Sequence, residues 1–211
     1  STVQRIMEGS PLGQFYVYEW AGYDESGSSI FNDYDADGNL VGTTDAPDDT
    51  DRRKAGSAQP KITYGWNNDL TWKNWTLNAF FQGVAGNKIF NATRAYYNNV
   101  SLIKNGKNVL AEVAAEQNAN DTRAQAPSNR YIENGSYFRL ATLTLGYNFG
   151  KLGNWVNNLR IYATCNNVFT ITGYKGINPV INLGGLEPGI DWRNTTYPRT
   201  RTFMLGVNVN F

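Results

Sequence analysis

The chain has 211 residues and a formal net charge of +1, a balance that gives no electrostatic reason to expect nucleic acid as a partner. It contains no histidine and one cysteine, Cys165, which excludes a Cys/His zinc site, a Ser-His-Asp triad and a disulfide framework. We therefore expect neither an enzyme nor a cofactor. No apolar run is long enough for a membrane-spanning helix.

The first predicted strand lies near residues 14–23, where aromatic and β-branched residues follow a turn-rich entry. An acidic loop, 24–60, comes next, and a hairpin is expected within it around the sequence from Asp35 to Asn39. Asp33, Asp35 and Asp37 have the spacing that opens a calcium loop, but Thr44 stands where such a loop requires glutamate. An Asp-Gly turn explains the same residues. No metal site is predicted, and these three aspartates are its only candidates.

Two alternating stretches, 61–72 and 75–86, predict a pair of amphipathic strands joined by a two-residue turn at Lys73. The polar stretch 87–135 follows, with one short helical segment expected between Val109 and Glu116.

Three further strands are predicted at 137–149, 158–171 and 200–211, with a loop at 172–198 before the last one. The last strand has a period of two, which predicts one apolar and one polar face. Its alternate apolar residues are Phe203, Leu205, Val207, Val209 and Phe211.

The lengths of the connections indicate a membrane barrel. Short and long connections alternate, and outer-membrane barrels have short periplasmic turns and long extracellular loops. We therefore predict extracellular loops at 24–60, 87–135 and 172–198. Six strands cannot close such a barrel, so the prediction is an all-β, antiparallel transmembrane barrel, of which this chain is the C-terminal portion. The alternatives are a soluble or surface-exposed all-β module that binds carbohydrate or protein, and a small adhesin-type barrel.

Several stretches carry a resemblance to a known family, and they occur in that family's order. They are Gly9–Gly13, Gly56–Gly65, Phe80–Val84 with Gly86–Asn91, Asn134–Leu140, Asn167–Thr170 with Tyr174–Gly176, and Tyr197–Arg199 continuing through the last strand. Through them the chain resembles the C-terminal barrel segment of the SusC/RagA family of TonB-dependent outer-membrane transporters. It departs from the family at Asn178-Pro179-Val180, where an acidic Asp-Pro-Glu is common.

The resemblance implies a barrel of roughly 22 strands in the outer membrane of a Gram-negative bacterium. It also implies a plug domain and a segment that contacts the TonB complex, both expected outside these 211 residues. A SusD-like surface lipoprotein is expected to cap the barrel, and the cargo is expected to be glycans or peptides. No nucleic acid is expected.

The sequence offers two sets of candidate site residues, one in the predicted loops and one in the last strand. Aromatic residues in the predicted loops are candidates for contact with the cargo or the lipoprotein lid, although packing of the loops explains them equally well: Tyr96, Tyr97, Trp192 and Tyr197. The apolar residues of the last strand, ending on Phe211, look like the signal by which bacterial barrels are recognised for assembly: Phe203, Leu205, Val207, Val209 and Phe211.

Overall fold

The structure is a computed structural model, which describes residues 3–192 and 197–211. Its regular structure is mostly antiparallel strand, and the chain divides into two compact units. The loop unit comprises the described parts of Ser1–Pro60, Gly86–Gly135 and Tyr174–Tyr197; the wall unit comprises Lys61–Ala85, Ser136–Gly173 and Pro198–Phe211. The helices of the described ranges are short, and none has the length and apolarity needed to cross a membrane.

The wall unit is a single sheet of five antiparallel strands, which we call the wall sheet. Its strands are β6 (Ile62–Trp72), β7 (Trp75–Ala85), β10 (Tyr137–Leu152), β11 (Val156–Thr172) and β12 (Thr202–Asn210). Their order in space is β12-β11-β10-β7-β6. Each strand therefore pairs with the next strand of the wall sheet along the chain, as in a barrel wall that runs up and down.

Turn chemistry sets the register of the first pair. Trp72 faces Trp75 across a turn of two residues, and Lys73 takes the left-handed φ of 53° that such a tight turn favours. The pairing then continues without interruption from Trp72 and Trp75 to Ile62 and Ala85. A fixed register matters here because a slip of one residue would exchange the two faces of the sheet.

The central strand, β10, contains an irregularity that changes its side-chain parity. The register shifts between Leu140 and Thr142, against both β7 and β11. Leu140 pairs with Phe81 on one side of the shift, and Leu143 pairs with Ala79 on the other. An extra residue in one strand has this effect, and it places apolar residues of both even and odd number on one face.

The loop unit has small sheets and short helices around its own core. Its strands are β1 (Gln14–Tyr18), β2 (Trp20–Tyr23), β3 (Ser29–Tyr34), β4 (Leu40–Thr44), β5 (Arg52–Ser57), β8 (Lys88–Phe90) and β9 (Ile132–Asn134). The helices are α1 (Ala92–Tyr97) and α2 (Ala111–Ala114), with 3-10 turns at Asp49–Asp51, Val100–Asn105 and Asn129–Tyr131. β1 pairs with β5, β2 with β3, β3 with β4, and β8 with β9. Buried residues from distant parts of the chain form the core: Val3, Phe15, Val17, Ala58, Phe90, Ala95, Tyr131 and Ile190.

The structure differs from the sequence-based expectation for the first strand. Residues 14–23 form two short strands of the loop unit, and neither belongs to the wall sheet. The reason is that Phe15 and Val17 are fully buried in the core of the loop unit, so the apolar face of this stretch is already covered. The wall sheet therefore has five strands where six were expected.

The predicted loops are also more structured than expected. The hairpin around Asp35–Asn39 is confirmed, since β3 and β4 pair across it. α2 lies inside the expected helical segment, whereas α1, β5, β8 and β9 were not predicted. Three long stretches of sequence that are irregular by themselves become ordered by packing on one another, as the composition of the core shows.

Candidate functional site

One face of the wall sheet is apolar across all five strands. The register places Leu70, Leu77, Leu145, Ala163 and Leu205 side by side in one continuous row. The next row toward the short turns contains Trp72, Trp75, Tyr147, Ile161 and Val207. Several of these side chains are exposed, as are the apolar residues of β12 that the sequence singles out: Phe203, Leu205, Val207, Val209 and Phe211.

Aromatic residues mark both ends of this apolar face. Near the short turns, the Trp75 and Tyr147 rings meet edge to face with their centroids 4.8 Å apart. Toward the other end, Trp66 stacks on Phe81 and Phe81 on Phe138, each pair with centroids 5.4 Å apart. A band of aliphatic residues between two aromatic girdles is the arrangement of an outer-membrane barrel.

The opposite face of the sheet is polar and hydrogen-bonded across the strands. The Thr144 and Thr164 hydroxyls lie 2.9 Å apart, and the Asn78 amide nitrogen donates to an oxygen of Asp69 at 2.7 Å. Arg160 donates to the Thr76 hydroxyl at 3.2 Å. The apolar face suits hydrocarbon, where unpaired polar groups would be costly. The polar face suits an interior filled with water or protein.

The strands of the wall sheet have the length that a membrane-spanning β-strand requires. β6 and β7 have 11 residues each, β10 has 16, β11 has 17 and β12 has 9. A tilted strand needs about 9–11 residues to cross the hydrocarbon core of a bilayer. Each strand of the wall sheet is therefore long enough to cross a bilayer.

The predicted loop aromatics lie in the loop unit. The Tyr96 and Tyr97 rings form an edge-to-face pair with centroids 5.2 Å apart at the end of α1, and the Lys107 ammonium donates to the Tyr96 hydroxyl at 2.9 Å. Trp192 follows the buried Asp191 and is half exposed, while Tyr197 is 81% exposed. All four can thus present some ring surface outward, which contact with a cargo or a lid would require.

A pocket of about 410 Å³ lies beside Tyr97, lined by Arg94, Leu110, Glu112, Lys175 and Ile177 among others. Arg94 bridges two carboxylates there, at 2.9 Å from Glu112 and 3.3 Å from Glu133. Burial would raise the pKa of Glu112, but hydrogen bonds from Asn98 and Arg94 and the charge of Arg94 outweigh it and hold the pKa below its usual range. Glu112 therefore stays ionised, and its ion pair holds α1 and α2 together.

The three aspartates with calcium-loop spacing do not form a cage in the structure. One Asp35 oxygen accepts hydrogen bonds from the backbone nitrogens of Asp37 and Asn39, at 3.0 and 2.8 Å. These bonds, led by those from Asn39, lower the pKa of Asp35. Within residues 3–192 and 197–211, no group of three His, Cys, Asp or Glu side chains is placed to hold a metal ion. The turn itself accounts for Asp35.

Comparisons with known proteins agree with this geometry. No family model matches the chain. It is 31% identical to TonB-dependent receptor P3 of Formosa agariphila, over 99% of this chain and 23% of the receptor, and 31% identical to TonB-dependent receptor SusC of Bacteroides thetaiotaomicron, over 99% of this chain and 20% of SusC. Among solved structures, the RagAB peptide importer in its closed-closed state matches 94% of this chain with a TM-score of 0.68 and 25% identity.

The chain belongs to the SusC/RagA-type TonB-dependent transporters. Both the resemblance read from the sequence and the predicted all-β antiparallel fold are confirmed. The chain spans only 20–23% of the length of these TonB-dependent relatives. The wall sheet accordingly corresponds to part of a SusC/RagA-type barrel, with one apolar face and one polar face.

The contacts that tie together the loop unit of this SusC/RagA-type chain have no signature in the sequence. Arg94 donates hydrogen bonds to Glu112, 18 positions away in the chain, and to Glu133, 39 positions away. Tyr174 donates to Asp191 at 2.5 Å, and burial together with this bond raises the Tyr174 pKa far above its usual value. No motif of fixed spacing joins these residues, so only the fold reveals them.

Proposed function

We propose that this chain forms part of the barrel wall of an outer-membrane, TonB-dependent importer in a Gram-negative bacterium. The observation that carries the proposal is the row of apolar residues that crosses all five strands from Leu70 to Leu205. A monomeric soluble protein rarely exposes a continuous apolar face of this extent, whereas lipid covers such a face in a barrel.

The proposed cargo is a nutrient, either glycans or peptides, and the proposed role is transport and not catalysis. RagAB, which this chain resembles in fold and sequence, is a peptide importer. The SusC/RagA family membership supports a SusD-like surface lipoprotein as a lid and energy supply through a TonB complex that contacts another part of the protein. A strain lacking the intact transporter should lose uptake of one of two labelled probes, peptides or oligosaccharides. The probe whose uptake is lost identifies the cargo.

The proposed topology places the short turns in the periplasm and the segments 24–60, 87–135 and 172–198 outside the cell. Support comes from the sheet itself, because the turn at Lys73, the connection near Lys151 and the end of β12 all lie at one end of it. We place Tyr96, Tyr97, Trp192 and Tyr197 on the outer side as contacts for cargo or lid. Replacing Tyr97 and Trp192 by alanine should weaken capture of the lid or uptake of cargo without lowering the amount of transporter in the membrane.

A solubility experiment tests the membrane proposal against a soluble module. The polypeptide should aggregate in buffer without detergent, and the intact transporter should fractionate with the outer membrane. A monodisperse, cooperatively folding monomer of these residues in plain buffer would contradict the proposal, since the exposed apolar rows would then be compatible with water.

We further propose that β12 carries the assembly signal, in the residues Phe203, Leu205, Val207, Val209 and Phe211. All five side chains are exposed along one face, which leaves them free for recognition. Phe211→Asp in the intact transporter should lower its amount in the outer membrane while the molecules that do insert still import cargo. Unchanged membrane levels would remove this role and leave Phe211 as a girdle residue.

A further inference from the structure

The apolar face of the wall sheet contains a groove where one strand carries a small residue. Ala163 on β11 lies between Leu145 on β10 and Leu205 on β12, and it is exposed. Neighbouring strands are about 4.7–4.9 Å apart, so the two leucines stand roughly 9–10 Å apart with only a methyl group between them. The resulting cavity has a volume of about 460 Å³, and Ile161 continues its floor.

Aromatic side chains close the groove at the end nearest the short turns. Trp75, Tyr147 and Phe149 line it there, and the Tyr147 ring contacts both of the others, with centroids 4.8 and 4.7 Å apart. Aromatic residues of membrane proteins concentrate at the level of the lipid headgroups. The closed end of the groove therefore lies at the headgroup level of one leaflet, and its open part points toward the hydrocarbon.

Two lysines lie beyond the aromatic end. Lys73 follows Trp72 in the turn between β6 and β7, and its ammonium lies 5.1 Å from the centre of the Trp72 ring. Lys151 stands two residues beyond Phe149 in β10. Both side chains are exposed. Asp69, the one acidic residue in the two hairpins, lies on the polar face of the sheet, so the charge beyond the groove is positive.

We propose that this groove binds one phospholipid with an anionic headgroup, drawn from the leaflet on the side of the short turns. One acyl chain lies over Ala163 between Leu145 and Leu205, and the headgroup phosphate meets Lys73 and Lys151. The groove volume falls in the range of about 300–1,000 Å³ that is usual for small-molecule sites. Hydrocarbon walls suit the chain, and basic residues beside a membrane attract anionic headgroups. This inference rests on the proposed location in the membrane.

Native mass spectrometry of the intact transporter, with phosphatidylglycerol and zwitterionic phosphatidylcholine as probes, tests the site. The wild-type protein should retain one phosphatidylglycerol more tightly than any phosphatidylcholine. Ala163→Phe fills the floor of the groove and should abolish that binding event. Ile62→Phe, an equally apolar change on the same face at the far end of β6, should leave it intact.

The charge of the headgroup is tested separately. Lys73→Gln and Lys151→Gln should each weaken phosphatidylglycerol binding about five-fold, which corresponds to about 1 kcal/mol per basic residue near a membrane surface, and leave phosphatidylcholine unchanged. Lys61→Gln, at the opposite end of β6, serves as the control. The two lysine variants also keep the test valid if Ala163→Phe prevents folding.

Different results would overturn the lipid site and the proposed function. Equal retention of the two lipids by the wild-type protein, or full retention by the folded Ala163→Phe protein, would overturn the lipid site while the transporter remains in the outer membrane. A transporter absent from the outer-membrane fraction would overturn the proposed function itself.

Discussion

Leu145 and Thr144 are consecutive in β10 and face opposite sides of the wall sheet. Leu145 belongs to the apolar row, and Thr144 contacts Thr164 on the polar face. We expect Leu145→Arg to lower the free energy of unfolding of the inserted transporter by about 2–4 kcal/mol, because it places a charge in hydrocarbon. Thr144→Arg is the matched control and should cost much less. Unfolding by denaturant in lipid vesicles gives both values, and equal costs would show that the assigned faces are wrong.

Gly146 lies on the polar face of the wall sheet, where neighbouring side chains leave little room for a larger residue. A β-carbon added there would lie 2.7 Å from the Thr76 hydroxyl and 2.8 Å from an Arg160 nitrogen. We expect Gly146→Ala to destabilise the protein by about 1 kcal/mol, the low end of the usual cost of overpacking, because the flexible Arg160 side chain can move aside while the short Thr76 side chain has to rotate. At Gly173 nothing lies within 4 Å of an added β-carbon, so Gly173→Ala is the control. A similar loss of stability in both variants would mean that Thr76 and Arg160 do not crowd this position.

The buried side chain of Tyr131 makes the stability of the loop unit depend on pH. Tyr131 is buried in the core of the loop unit, its hydroxyl donates to the Ala124 carbonyl at 2.9 Å, and burial raises its pKa to about 12. The neutral phenol is therefore favoured by folding. This contribution is complete below the ordinary pKa of 10.0 and is lost as the pH rises through about 12.

We accordingly expect the loop unit to lose about 2–3 kcal/mol of stability between pH 10 and pH 12 through this one group, since each pKa unit corresponds to about 1.4 kcal/mol. Thermal unfolding of the intact protein, followed by near-ultraviolet circular dichroism across that range, measures it. Tyr131→Phe should be less stable at neutral pH but show a flatter alkaline profile. Tyr197→Phe, which removes an exposed hydroxyl, should follow the wild type.

The elements differ in how far their sequence determines them. β6 and β7 could be predicted because apolar residues recur with a period of two along most of each strand and a tight turn joins them. The stretch 14–23 has the same local character, yet burial of Phe15 and Val17 against Tyr131 and Phe90 moves it to another unit. Local pattern cannot foresee this, since the competing partners lie more than 70 positions away in the chain.

The surroundings of the loop aromatics also could not be predicted from local sequence. Their place in long connections was readable from the sequence, but the pocket beside Tyr97 and the ion pairs of Arg94 depend on contacts between separate segments. The apolar rows of the wall sheet, by contrast, follow from strand periodicity once the register is known. The wall is therefore largely encoded in local sequence, and the loop unit is encoded in long-range packing.

The positions of four lysines in the chain can report the orientation of the transporter in the membrane. Lys104 and Lys107 lie in the segment 87–135, which the proposed topology places outside the cell, whereas Lys73 and Lys151 lie at the end of the wall sheet with the short turns. All four side chains are exposed, so a difference in reactivity between the two pairs reports the side of the membrane and not burial.

We expect an amine-reactive label that cannot cross membranes to modify Lys104 and Lys107 in intact cells, and to reach Lys73 and Lys151 only after the cells are opened. Peptide mass spectrometry of the purified transporter reads all four positions in one experiment. Because a lid could shield the outer pair, the labelling is repeated in a strain without the neighbouring surface lipoprotein, where modification of Lys104 should increase. Labelling of Lys73 in intact cells would invert the proposed topology, since a turn of two residues at that end of the sheet cannot lie on both sides of the membrane.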